Sequence, residues 1–343
     1  MVNPYRSITT ANKSFTIVIN IVEIMKRILL SLTFILAGLQ VSFAQVQIRR
    51  AMTLMGSQFE ITLVDQDSSV ANNHIDQAVA EIERIENLIS EWRPHTQISE
   101  VNRNAGIKAV QVDREVFELT ERALYFSKIS EGAFDVSIAA LDRVWRFDGS
   151  MEQMPSEAEI QKSIAHVGYQ YIELDSVNST IFLKKPNMKI GFGSIGKGYA
   201  ADRGRKLMQD LGVAAGMINA SGDIASWGQQ KDGKPWTIGV LNPFRSHKMI
   251  KVLRFNEHAV ATSGSYEKYV EFDDVRYSHI IDPKTGYPAT GVVSVTVYGP
   301  SAEFANGLST SMMVLGVKKG RKLAKKFPEY KFIIISDNKR IYR

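Results

Sequence analysis

Apolar residues recur at Ile75, Val79, Ile82, Ile85, Ile89 and Trp92, the three- and four-residue steps that lay one apolar stripe along a helix. The spacing predicts an amphipathic helix ending near Trp92. Before it, residues 53–64 alternate apolar and polar positions with the period of two that marks a strand. After it, a second helix is predicted over 114–129, and Ser156-Glu157-Ala158-Glu159 is a capping box that opens a third.

Residues 171–184 have the form of a hairpin turning near Asn178, and 188–193 read as a strand. A helix follows over 196–211 with Gly212 as its stop, then a strand over 216–220. Further strands are predicted near 236–240, 249–255, 266–272 and 292–298. Helices over 302–315 and 317–326 precede a closing strand at 332–336. Hairpins interspersed with helices favour an α+β fold over an alternating parallel one.

The chain has 343 residues, 44% of them hydrophobic, enough for a large core. Its start stands apart. Met25-Lys26-Arg27 is a basic n-region, 28–39 is an apolar run too short to span a bilayer, and Val41-Ser42-Phe43-Ala44 places small residues before Gln45. Residues 25–44 therefore read as a signal peptide, 1–24 as an over-extended start, and 45–343 as a single domain. Residues 1–44 hold four of the basic side chains and one acid, so beyond them 38 basic residues face 35 acidic ones and the formal +6 falls to +3. That is too weak a charge to argue for nucleic acid. Zero cysteines excludes disulfides, thiolate metal sites and a lipoprotein anchor, and suits a bacterial periplasmic protein.

Two stretches carry candidate chemistry. His279-Ile280-Ile281-Asp282-Pro283-Lys284-Thr285-Gly286 ends a strand-like run with a histidine and an acid beside a turn fixed by proline and glycine. A hairpin end whose Asp282 caps its own turn has the same pattern. Gly191-Phe192-Gly193-Ser194-Ile195-Gly196 matches GxGxxG between a predicted strand and helix, which brings a nicotinamide-dependent oxidoreductase into consideration. The acid after the next strand, Asp223, lies somewhat far along for a ribose contact. On either reading, a helix start with small residues and Lys197 beside it suits a phosphate.

Several motifs occur in one order: Met55-Gly56-Ser57, Ser90-Glu91-Trp92-Arg93-Pro94, Gly132-Ala133-Phe134-Asp135, Gly193-Ser194-Ile195-Gly196-Lys197-Gly198-Tyr199-Ala200-Ala201-Asp202, Asn219-Ala220-Ser221-Gly222-Asp223, Ala261-Thr262-Ser263-Gly264-Ser265-Tyr266 and the loop at 279–288. In this the chain resembles the ApbE-type FAD:protein FMN transferases, from about residue 52 to 336. The resemblance implies an α+β flavin transferase fold of mixed and antiparallel sheets with flanking helices. It further implies a periplasmic enzyme that takes FAD as substrate with Mg²⁺, esterifies FMN to a threonine or serine of an acceptor flavoprotein such as a membrane redox-pump subunit, and releases AMP. Some relatives hydrolyse FAD instead.

By the same resemblance, Met55, Trp92, Ala133, Phe134, Asp135, Gly191, Ser194, Lys197 and Ile280 would line the nucleotide. His279 would take the hydroxyl proton, with Asp282 orienting it or binding metal. The Ser194 carbonyl, Asn306 and Thr310 would hold the ion, the last two at i and i+4 on one helix face. Two positions depart from the family pattern: Asn306 and Gly191 stand where acids are usual. A neutral amide weakens a Mg²⁺ site, so a non-catalytic FAD-binding protein and an FAD pyrophosphatase stand beside the transferase as alternatives.

Overall fold

The alternating stretch at 53–64 turns back on itself. In the computed structural model, which describes residues 25–27 and 45–343 except 143, 267 and 274 and no side chains at 246 and 247, β1 (Val46–Leu54) pairs antiparallel with β2 (Ser57–Asp65). Met55 and Gly56 between them both have positive φ, 50° and 65°, the conformation of a two-residue type I′ hairpin. One predicted strand is thus two. Over 48–54 the less exposed positions of β1 are the even numbers, whereas β2 buries the successive residues 61–64. The signal segment and early start lie in 1–24 and 28–44, outside the described residues; residues 45–343 form one unit.

The hairpin joins a sheet with β6 (Ala215–Ala220), β7 (Asp223–Trp227), β10 (His258–Gly264), β13 (Val292–Gly299), β14 (Lys331–Ser336) and β15 (Ile341–Tyr342), in the order β1-β2-β6-β7-β10-β13-β14-β15. Every neighbouring pair is antiparallel. No parallel βαβ unit frames the GxGxxG segment, so the nicotinamide reading falls. Smaller antiparallel sheets join β3 (Val110–Gln111) with β4 (Ile172–Asp175) and β5 (Thr180–Leu183), β8 (Trp236–Asn242) with β9 (Arg245–Phe255), and β11 (Tyr269–Phe272) with β12 (Val275–Ser278).

Successive residues of the main sheet feed two cores. Ala225, Trp227, Ala259, Ala261 and Ile334 belong to the core beneath the helices, while Ile224, Val260, Ile333 and Ile335 pack against Ile238, Val240 and Leu253 of the β8–β9 hairpin. With both faces buried, such strands lose their alternation. β7 and β10 accordingly have no period-two signature in the sequence.

Helix α1 (Ser68–Ile89) is capped by Asp67, whose side chain accepts from the backbone N–H groups of Ser69 and Val70. It buries Ala71, Ile75, Ala78, Ile82, Ile85 and Ile89 and stops at Ser90. Trp92 therefore lies beyond the helix, 72% exposed; Pro94 disfavours helical backbone just before it. Then come α2 (Gln97–Arg103), α3 (Arg114–Ile129), α4 (Glu157–Ser163) with both halves of its capping box formed, and α5 (Gly196–Asp210). Gly212 follows α5 with φ 82°. The last helix, α6 (Ala302–Ala324), breaks at Gly316, where φ is 74° and ψ 175°, so the two predicted helices meet at a kink.

The stretch expected as a strand over 188–193 belongs to none of the sheets. Its pairing partner is a side chain: the Asn102 amide accepts from the Ile190 N–H at 2.8 Å and donates to the Ile190 carbonyl at 2.9 Å. The strand expected over 266–272 shortens to β11.

Candidate active site

The N-terminal half of α6 faces the start of α5 across a cleft of about 520 Å³. Close contact between the two helices requires Gly198: a Cβ there would lie 2.6 Å from the Ala302 carbonyl oxygen. Asp202 of α5 locks the junction, its Oδ2 accepting from the Ser301 hydroxyl at 2.7 Å and the Glu303 N–H at 3.0 Å. Ala133, Phe134 and Asp135, Ser194 and Lys197, Asp223, Ser263, Lys268, His279 and Ile280, and Asn306 and Thr310 all line this cleft. A second cavity of about 530 Å³ shares Gly193 and Lys197 with it and adds Met55, Glu91 and Trp92. A third, about 1780 Å³, shares Lys268 and His279 with the first and Glu91 and Trp92 with the second.

The floor of the cleft is buried and polar. Asn306 Nδ2 donates to Asp223 Oδ1 at 2.7 Å, while Asn306 Oδ1, equally buried, has no partner. Burial raises the Asp223 carboxyl to about 7, with the Lys197 charge and the Asn306 hydrogen bond pulling it back and Asp202 adding to the rise. Beside this pair the Ser263 hydroxyl lies 2.8 Å from that of Ser309 and 3.4 Å from that of Thr310. Asn306 and Thr310, one helical turn apart, thus reach one cavity as their spacing requires.

The rim is built differently. The backbone N–H of His279 donates to the Lys268 carbonyl at 3.1 Å, and its ring Nδ1 lies 3.2 Å from the same oxygen. A carbonyl only accepts, so Nδ1 carries the proton and Nε2 is the ring's basic nitrogen. The following loop closes tightly, with Asp282 N–H on the Tyr287 carbonyl at 2.8 Å and Ala289 N–H on that of Ile280 at 2.8 Å. Asp282 serves this turn: its Oδ1 accepts from the Lys284 N–H at 2.9 Å, and it does not line the cleft.

Met55 sits in the β1–β2 turn, its N–H donating to Glu86 at 3.2 Å. Asp135 uses both carboxylate oxygens internally, Oδ1 on the Ser137 N–H and hydroxyl at 2.8 and 2.6 Å and Oδ2 on the Tyr169 N–H at 2.9 Å. It therefore holds the backbone at the cleft wall, and burial still raises its carboxyl above the usual range. Gly191 is buried and lines none of the three cavities. A Cβ at Gly191 would meet Glu91 Oε1 at 2.7 Å. The space a side chain at 191 would need is occupied by the Glu91 carboxylate, whose pKa burial raises.

Among the described residues no three His, Cys, Asp or Glu side chains cluster as a metal site. The donors that converge are hard oxygens, of the type Mg²⁺ takes: Asn306 Oδ1, the Thr310 hydroxyl and the Ser194 segment, with Asp223 behind them. A buried acceptor without a donor costs about 1–3 kcal/mol, and a small hard cation relieves that cost. Sequence reading met Glu91, Ser263 and Asp223 inside family motifs but gave them no site role, apart from weighing Asp223 as a ribose contact, and it did not pick out Lys268. The available signal for Asp223 was an acid opening the apolar run Ile224-Ala225-Ser226-Trp227, since a carboxylate in a buried strand needs a partner.

The ApbE family model matches residues 55–334. The chain is 32% identical over 290 residues to the FAD:protein FMN transferase of Klebsiella pneumoniae, covering 84% of this chain and 89% of that one. It is 30% identical over 275 residues to the FAD:protein FMN transferase of Treponema pallidum, 76% of each chain. The crystal structure of the ApbE protein of Thermotoga maritima superposes with a TM-score of 0.79 at 32% identity, covering 87% of this chain and 97% of that one. The flavin transferase ApbE of Vibrio cholerae gives 0.76 at 27% identity with the same coverage.

Proposed function

The chain belongs to the ApbE family, and from that premise we propose that it is an FAD:protein FMN transferase. The observation that carries this reading is that Lys197, His279 and Asn306, far apart in sequence, line one cleft. We propose as acceptor a threonine or serine of an exported or membrane redox protein.

The acceptor hydroxyl oxygen attacks the FMN phosphorus in line. A new O–P ester bond forms as the pyrophosphate bond breaks, AMP departs with the bridging oxygen, and the hydroxyl proton passes to His279 Nε2. The Lys268 carbonyl holds the imidazole in the tautomer this step needs. Lys197 and the first N–H groups of α5 offset charge on the phosphates. Trp92 offers a flat apolar face to a ring system at the mouth, while Met55, Ala133, Phe134, Asp135 and Ile280 shape the walls. Ser194, Asn306 and Thr310 are the residues that would hold Mg²⁺. When bound, the ion neutralises phosphate charge.

Among the described residues no helix is long and apolar enough to cross a membrane. We assign export to residues 25–44 and the transferase to 45–343, which places the enzyme in the periplasm. The test is incubation of the purified protein with FAD and Mg²⁺, with and without a threonine-bearing acceptor, reading AMP and acceptor mass. A mass gain of one FMN matched by AMP is expected. AMP without a mass gain would identify a pyrophosphatase, and intact bound FAD a binding protein.

A further inference from the structure

We propose that Asp223 is the charged half of the cation site. It turns the Asn306 amide so that Oδ1 faces the cleft, and it supplies the negative charge that a neutral amide lacks. The inference rests on the reading of function above and concerns residues whose arrangement the sequence does not reveal.

An amide has a donor end and an acceptor end, and the group it meets decides which way it points. Asp223 Oδ1 lies 2.7 Å from Asn306 Nδ2 and accepts from it, as a carboxyl oxygen facing an amide N–H must. The amide is thereby pinned with its oxygen on the far side, where the atom is buried and unpartnered. Asp223 is 3% exposed in a strand whose other residues are buried too, and among the described residues Asn306 is the one side chain hydrogen-bonded to it. Each member of the pair is unfavourable alone: an orphan acceptor on one, a carboxyl in a wholly buried strand on the other. A divalent cation against Asn306 Oδ1 resolves both. The carboxylate behind the amide polarises it, as second-shell carboxylates do for metal-binding histidines.

The arrangement predicts that acid and amide are exchangeable as a pair but not singly. Asp223→Asn leaves two amides and no charge. Asn306→Asp sets two carboxylates against each other with no donor between them. Asp223→Asn combined with Asn306→Asp restores one donor, one acceptor and one charge, in nearly unchanged volume.

The test is Mn²⁺ binding to the FAD-free protein, followed by the electron paramagnetic resonance signal of free Mn²⁺ and by competition with Mg²⁺. Thermal unfolding of each variant checks the fold. Asp223→Asn is expected to weaken binding at least tenfold, and the exchanged pair to return it to within a few-fold of the native value. Native-like binding by Asp223→Asn overturns the proposal. So does an exchanged pair no better than the single variants, the result expected if Asp223 matters only for packing; this comparison stands even where one single variant fails to fold. A native protein without a saturable Mn²⁺ site that Asn306→Ala removes overturns it as well. The AMP and acceptor-mass assay is independent: flavin transfer with no such cation site sinks this inference alone, and cation binding as described with no transfer sinks the functional reading alone.

Discussion

At the floor of the cleft Asp223 is 3% exposed and Asn306 8%, and each is oriented by the other. At the rim Trp92 is 72% exposed, and His279 is oriented by a backbone carbonyl. The floor rests on the junction of two helices and a central strand, where low dielectric strengthens every charge interaction. The rim rests on loops, open to whatever approaches. A group that must meet a protein acceptor has to be reachable, whereas groups that hold an ion and phosphates gain from burial. The two regions divide the reaction along that line.

The sharpest way to break this division is at His279. Removal of a general base costs roughly 10²–10⁴ in rate, so His279→Ala is expected to lose about that much transfer while FAD affinity stays within a few-fold. Equal losses in both, measured by AMP release and by flavin fluorescence titration, would make His279 a binding group and erase the contrast. At the floor, Gly198→Ala drives a methyl into the Ala302 backbone, and backbone cannot rotate away. Overpacking of about 1–3 kcal/mol outweighs the helix-propensity gain of at most ~1 kcal/mol. Denaturant unfolding should show a net loss, with weakened Mn²⁺ binding as the helices part; unchanged stability would mean that the junction is loose.

A smaller effect is expected at Trp92, where loss of ring stacking is worth about 0.5–1.5 kcal/mol. Trp92→Ala should weaken FAD roughly two- to tenfold and leave the unfolding midpoint unchanged, since the ring lies outside the core. A drop in stability instead would move Trp92 from rim to scaffold. The smallest effect concerns Glu91. Burial raises its pKa above the usual 4.5, so the native state keeps a proton that the unfolded chain releases. The contribution of Glu91 to stability is complete below pH 4.5 and is lost as pH rises through the raised value. Glu91→Gln should flatten the decline of the thermal midpoint above pH 4.5; parallel curves for the two proteins would show that the carboxyl titrates as if in water.

Much of the site was legible because its parts are local. The Asn306 and Thr310 pair follows from helical spacing, and the helix start at Ser194 and Lys197 from its glycines. His279 is marked by the turn after it. Asp282 was not decidable from sequence: an acid before Pro-Lys-Thr-Gly is equally suited to capping its own turn, and sequence alone does not say which way its side chain points. The packing of Gly191 was not legible, because the Glu91 carboxylate that fills its side-chain space comes from a segment 100 positions earlier.

The sequence by itself determined the longer helices, through apolar steps of three and four residues, the hairpin at 171–184, through its turn, and the family, through the order of its motifs. The tertiary structure decided the strand order, in which β2 lies beside β6 and β10 beside β13. It also decided that an amide on α6 meets a carboxylate on β7, 83 positions away. Periodicity records which face of an element is apolar, because that is fixed by backbone geometry within a few residues. Which buried polar groups meet depends on how whole layers close over one core, and no stretch of a few residues contains that.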